Sequence, residues 1–180
     1  MLNLAFRLRD TLENAGNIIL PGVARLVFGG VLLVYFWSSA MTKLGDGLLG
    51  FLVPSSGAYA QVFPKAFEAV GYDTSQMSVV HWAIVVAGMW AEFILPLLIV
   101  LGLFTRVAAL GLIGFIFVQS VVDVTGHMAD AATIGRWFDK ASSALIVDQR
   151  ALWIVLLLIL VFKGPGPLAA DRVFGPGPPA

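Results

Sequence analysis

Long apolar runs alternate with short polar or proline- and glycine-rich breaks along the chain. The clearest pair of runs lies in 81–127, HWAIVVAGMWAEFILPLLIVLGLFTRVAALGLIGFIFVQSVVDVTGH, with a tight basic turn at Gly102 to Arg106. A helix rises 1.5 Å per residue, so each run can cross a hydrocarbon layer of ~30 Å. The short connection makes the two helices antiparallel neighbours, spanning about 78–103 and 106–125. An earlier run predicts a span over about 21–42, with Pro21 in its first turn, where a missing N–H is harmless, and Lys43 at its far end. Near the other terminus, Ala151 to Phe162 alone would reach only about 18 Å. The fourth span is therefore drawn from about 142 to 163, which takes Asp148, Gln149 and Arg150 into its outer part.

The stretch before Pro21 has a different pattern. Leu4, Leu8, Leu12, Ala15 and Ile19 fall on one helical face and Arg9, Asp10, Glu13 and Asn17 on the other, as in a helix that lies in the membrane interface. Residues 44–79 are too punctuated to span, with Pro54, Pro64 and several glycines, but Tyr59, Phe63, Phe67 and Val70 recur at helical spacing. A short interfacial or re-entrant helix over the bundle is expected there, with Pro64 in a first turn or at a kink and the segment acting as a plug. The expected fold is thus all-α: an N-terminal amphipathic interfacial helix over 1–20, a four-helix transmembrane bundle over 21–163, and a Pro/Gly-rich surface tail over 164–180.

Composition strengthens the membrane reading. Hydrophobic residues make up 59% of the chain and charged ones 12%, against roughly 25% charged in soluble domains. The mean hydropathy is +0.91. Formal net charge is zero, with no basic block to neutralise phosphates, so nucleic acid is not an expected partner. There is no cysteine, which excludes thiol redox chemistry and sulfur-ligated metals, and two histidines do not make a metal set. Four spans put both termini on one side. The basic residues divide six to five in favour of that side (Arg7, Arg9, Arg25, Arg106, Lys163, Arg172), which predicts cytoplasmic termini in a bacterial inner membrane.

Candidate chemistry concentrates in the hairpin. Glu92 falls near the middle of its apolar helix, where an ionised carboxylate is costly, and Pro96 cannot donate to the Glu92 carbonyl. Two polar groups therefore meet at one depth, either as a site for protons or a ligand or as a structural anchor between helices. Ala87, Gly88 and Ala91 allow another helix to approach that face. Gln119, Asp123 and His127 form a stripe at spacings of four on the next helix, and an Asp and a His one turn apart can pair. Lys43, His81, Asp148 and Arg150 belong to the same outer level. Together these residues read as a polar vestibule leading to Glu92, or more simply as an ion-pair collar. His81 is also readable as a solvated helix cap. Trp37, Trp82, Trp137 and Trp153 map to the outer half, as membrane-anchoring tryptophans do, although a quinone ring would use similar side chains.

The basic start of the first span, Lys43 after a small polar exit, AEFILPLLIVLGLFTRVAAL in the hairpin, and ALWIVLLLILVFKGPGPLAADRVF near the end together resemble the DoxX family of bacterial integral membrane proteins. The likeness runs from Ala24 to Phe174, with Lys43, Glu92, Arg106, His127 and Asp171 at matching positions, and is weaker over 45–79. The resemblance implies a four-helix membrane protein with a link to respiratory or sulfur-compound redox chemistry at the quinone pool. The expected role is a small, non-catalytic accessory subunit of a quinone-linked membrane redox assembly. Quinone is the only cofactor under consideration, and the expected partners are the lipid bilayer and other membrane subunits or copies of the same chain. A small-solute or proton-coupled membrane transporter and a purely structural subunit are the rival readings. A stand-alone enzyme is least favoured, because no nucleophile, metal set or cofactor motif is evident.

Overall fold

A computed structural model of the chain describes residues 2–174; the end of the proline- and glycine-rich tail, 175–180, lies outside them. Helices α1 (Leu2–Phe28) and α2 (Val34–Lys43) are joined by a π-helical turn, Gly29–Leu33, into one continuous rod. Two short helices follow, α3 (Ser56–Val62) and α4 (Pro64–Ala69), then a 3₁₀ turn at Thr74–Gln76. The hairpin is α5 (Val79–Leu101) and α6 (Thr105–Val121), the latter extended by a second π-helical stretch, Val122–Gly126. A short α7 (Ala131–Ile134), a long α8 (Val147–Lys163) and a final turn, α9 (Asp171–Phe174), complete an all-helical fold with no strand among the described residues.

Three of these helical segments are long and apolar enough to cross a membrane: Phe6–Lys43, Val79–Leu101 and Thr105–Gly126. They pack with α8 around one apolar core that includes Phe28, Leu32, Phe36, Ile99, Leu112, Ile116, Leu157 and Leu160. The neighbouring pairs are α1 with α8, α2 with α5, α5 with α6, and α6 with α8. Outward faces stay apolar, with Leu26, Val107, Phe117, Leu152 and Phe162 exposed, as a lipid-facing surface requires.

The structure departs from the expected boundaries in two places. No break separates an interfacial helix from the first span. Pro21 lies inside α1 rather than in its first turn, because its fixed φ is helical and the fold gives up only the bond to the Asn17 carbonyl. The last long helix begins at Val147, not near Ser142, and its 17 residues extend about 25 Å. Upstream of it, the Asp148 carboxylate accepts from the Ala144 N–H at 3.1 Å, and Ile146 N–H bonds the Thr133 carbonyl at 3.2 Å, so the chain is already committed to a turn.

The 44–79 segment folds onto the N-terminal half of α5. Ser55 caps α3 through the Ala58 N–H, and Pro64 occupies the first turn of α4, where its missing N–H costs nothing. Tyr59 and Phe67 are buried with Ala58 against Val85. The preceding loop runs down the side of α5: the Trp82 indole donates to the Leu52 carbonyl at 2.8 Å and Trp90 to the Phe51 carbonyl at 3.2 Å. Irregular backbone at membrane depth needs such donors, since hydrocarbon supplies none.

The opposite end is closed by the tail. Gly102 takes a left-handed conformation, φ 69°, to end α5. The Asp171 carboxylate accepts from the N–H groups of Phe104 (2.7 Å) and Thr105 (3.0 Å) and from the Thr105 hydroxyl (3.0 Å), capping α6. Arg25 donates to the carbonyls of Ile99, Val100, Pro165 and Leu168, tying α1, the hairpin and the tail together.

Candidate functional site

The site is assembled from the end of α2, the middle of α5 and the C-terminal half of α6. Lys43 and Glu92 are 5% and 2% exposed, and their side chains form an ion pair. Lys43 Nζ donates to Glu92 Oε2 at 2.9 Å and Oε1 at 3.1 Å, to Ser39 Oγ at 2.8 Å, and to the Ser39 carbonyl at 3.3 Å. The Ser39 hydroxyl donates to Glu92 Oε1 at 2.9 Å, closing a neutral triad. A carboxylate in the middle of an apolar helix is tolerable only with such partners. Local sequence brings Ser39 and Lys43 together, one turn apart on α2. Their meeting with Glu92 depends on α2 packing against α5 and ending at that depth.

A cavity of about 470 Å³ adjoins the triad, within the range of about 300–1,000 Å³ usual for small-molecule sites. Ser39, Lys43 and Glu92 lie at its polar end. Ala87, Gly88, Ala91, Gly111, Gly114, Phe115 and Val118 form apolar walls, and Gln61, Gln119, Asp123 and His127 line the rest. The cavity therefore brings together Lys43, Glu92, Gln119, Asp123 and His127, five of the residues singled out in the sequence.

The other three are placed elsewhere. His81 sits in the first turn of α5, where its ring and Ser78 form a reciprocal cap. Asp148 caps the turn before α8. Arg150 is 6% exposed and donates to the Ser120 hydroxyl and the Asp123 carboxylate, so it reaches the cavity only through Asp123. The Asp123–His127 pair that their spacing allows is not formed: Val122–Gly126 is π-helical, which turns the two side chains out of register. His127 Nε2 instead lies 2.9 Å from the Gln61 carbonyl.

Two contributors carry little sequence signal. Tyr35 accepts from Gln119 Nε2 at 3.1 Å, across 84 positions of chain, and Gln61 enters from α3. Gln119 Oε1 is buried without a partner beside the cavity. Among the described residues, no group of three or more His, Asp or Glu side chains converges on a metal geometry. What the arrangement can do is bind: one face of a ligand against apolar walls, one polar end against a buried lysine and carboxylate.

Fold and site together define an all-helical protein of the membrane, with a polar pocket sunk among its apolar helices. The chain belongs to the DoxX family, whose model matches residues 20–123 and so takes in Lys43, Glu92, Gln119 and Asp123. His127 and Asp171 lie beyond the matched segment. No curated protein and no solved structure matches the chain.

Proposed function

We propose that the protein is a four-span inner-membrane protein with cytoplasmic termini that binds a quinone as a small accessory subunit of a membrane redox assembly. The observation that carries this reading is an apolar-walled cavity ending on the buried Lys43–Glu92 pair. A quinone ring needs a flat apolar slot and a donor for a carbonyl oxygen. Lys43 can offer one by giving up a present contact, since its three N–H groups already serve four acceptors. Its contact to the Ser39 carbonyl, at 3.3 Å, is its longest, and that carbonyl already accepts from Thr42 Oγ at 2.7 Å. An incoming carbonyl can replace it without stranding a buried polar group. Glu92 can accept from a quinol hydroxyl, and Gln119 offers its orphaned oxygen further out. These residues bind and orient the ring, while electrons come from a partner subunit.

The test is solvent extraction of the protein purified in mild detergent, followed by titration with a short-chain benzoquinone. Quinone should co-purify with the unmodified protein, and Lys43→Met and Glu92→Gln should each weaken binding at least tenfold. Saturating benzoquinone that leaves the unmodified protein unoccupied would refute the reading. A proton-coupled transporter is the second reading, favoured by the same buried ion pair at mid-helix. It requires substrate-dependent proton flux in proteoliposomes that Glu92→Gln abolishes.

A further inference from the structure

The cavity is bounded differently at its end and at its side. The outer end is bridged by contacts between two segments. His127 meets the Gln61 carbonyl there, and Pro64 packs so closely on Gly126 that a Cβ at that glycine would lie 2.9 Å from the proline Cγ. The α3–α4 segment and the corner after α6 are thus held together across the top.

The side is open. Five of the lining residues, Ile84 and Ala87 on α5 and Gly111, Gly114 and Val118 on α6, are also exposed on the outer surface of those helices. Ile84 is 47% and Val118 58% exposed. All five lie within segments apolar enough to cross a membrane. At Gly111 the helices touch, since a Cβ there would sit 3.3 Å from the Leu95 side chain. One turn further on, at Gly114, a Cβ would find no atom within 4 Å. Above the Gly111–Leu95 contact the cavity therefore has exposed lining on both α5 and α6, and the same cavity is lined by Lys43 and Glu92.

We infer that the cavity is loaded sideways from the bilayer through a slot at this exposed side, and that its occupant carries a flexible apolar chain that leaves past Gly114 while the carbonyl head rests on Lys43 and Glu92. The inference rests on the ligand-binding reading of the same cavity and adds the route and the chain. An occupant entering from hydrocarbon is already dissolved there and need not pass the bridged outer end. Its chain can remain in lipid, so the pocket has to enclose only the head. This matches a cavity with the Lys43–Glu92 pair in its lining and an apolar, exposed side wall.

The experiment fills the slot and leaves the floor intact. Gly114→Phe places a ring in the open space, and Val118→Trp blocks the same rim from a largely exposed position. Binding of two benzoquinones, one without a chain and one with a decyl chain, is measured by calorimetry on each variant in lipid nanodiscs. The decyl compound should bind at least tenfold more weakly to both variants, with less than a threefold change for the chainless compound. Val107→Trp, on the exposed surface of α6 away from the cavity, should leave both affinities unchanged. Undiminished binding of the decyl compound to Gly114→Phe and Val118→Trp, or equal losses for both compounds, would overturn the lateral route. Failure of the unmodified protein to bind either compound would instead overturn the quinone reading beneath it.

Discussion

Lys43 and Glu92 show how one residue's placement depends on another. Each alone would be a charge stranded among apolar helices, but together with Ser39 they are neutral and hydrogen-bonded. Lys43→Met should therefore destabilise the protein by about 3–5 kcal/mol, while the double replacement Lys43→Met with Glu92→Leu should recover most of that loss. Thermal unfolding in detergent compares the two, and an additive double variant would show that the groups do not stabilise each other. Asp171 is a second test at this scale. Burial alone would raise its carboxyl, but the Thr105 and Phe104 N–H groups, the Thr105 hydroxyl and the nearby Arg25 hold it below the ordinary carboxylate range. A depressed folded value contributes stability that is present above the unfolded value of about 3.9 and is lost as pH falls through the folded one. Asp171→Asn should cost about 1 kcal/mol at neutral pH and should flatten the loss of stability on acidification below about pH 4.

At the scale of elements, the hairpin turn and the tail act as one joint. Gly102 ends α5 with a positive φ, and a Cβ on it would lie 2.6 Å from the Ala169 Cβ and 2.8 Å from Arg25 Cζ. Gly102→Ala adds a left-handed penalty to overpacking and should cost about 2–4 kcal/mol, read from unfolding midpoints. The turn itself was legible in the sequence, because a glycine after an apolar run and a basic residue soon after it are local signals. The role of Asp171 was not, since it caps α6 from 66 positions away. The π-helical stretches are a similar case. Nothing in VDVTG marks it as π-helical, yet that geometry separates Asp123 from His127 and frees Asp123 for Arg150.

The whole molecule makes the topology testable. With four spans, both termini share a side and the Asp139 region lies opposite. The chain has no cysteine, so single substitutions report without background. Asp10→Cys should resist a membrane-impermeant maleimide applied to right-side-out vesicles, whereas Asp139→Cys should react. The reverse pattern would invert the orientation, and labelling of both would remove a span. The shortness of α8 makes this measurement informative: at about 25 Å it spans only if the bilayer thins or its polar outer turn sits at the interface.

Hydropathy and helical period, which are local properties, determined by themselves that this is a helical membrane protein, where its hairpin lies, and that Glu92 sits at an unusual depth. They limited Pro64 to a first helical turn or a kink, and the fold took the first turn. Tertiary structure alone decided what Glu92 meets. Its lysine is 49 positions away and reaches it only because the first long helix ends halfway down α5. It likewise decided that α1 runs unbroken through Pro21, that His127 bonds Gln61 rather than Asp123, and that a cavity remains between α5 and α6. Such features depend on which surfaces of distant segments pack together and on the space they leave, and neither is encoded in any one stretch of chain.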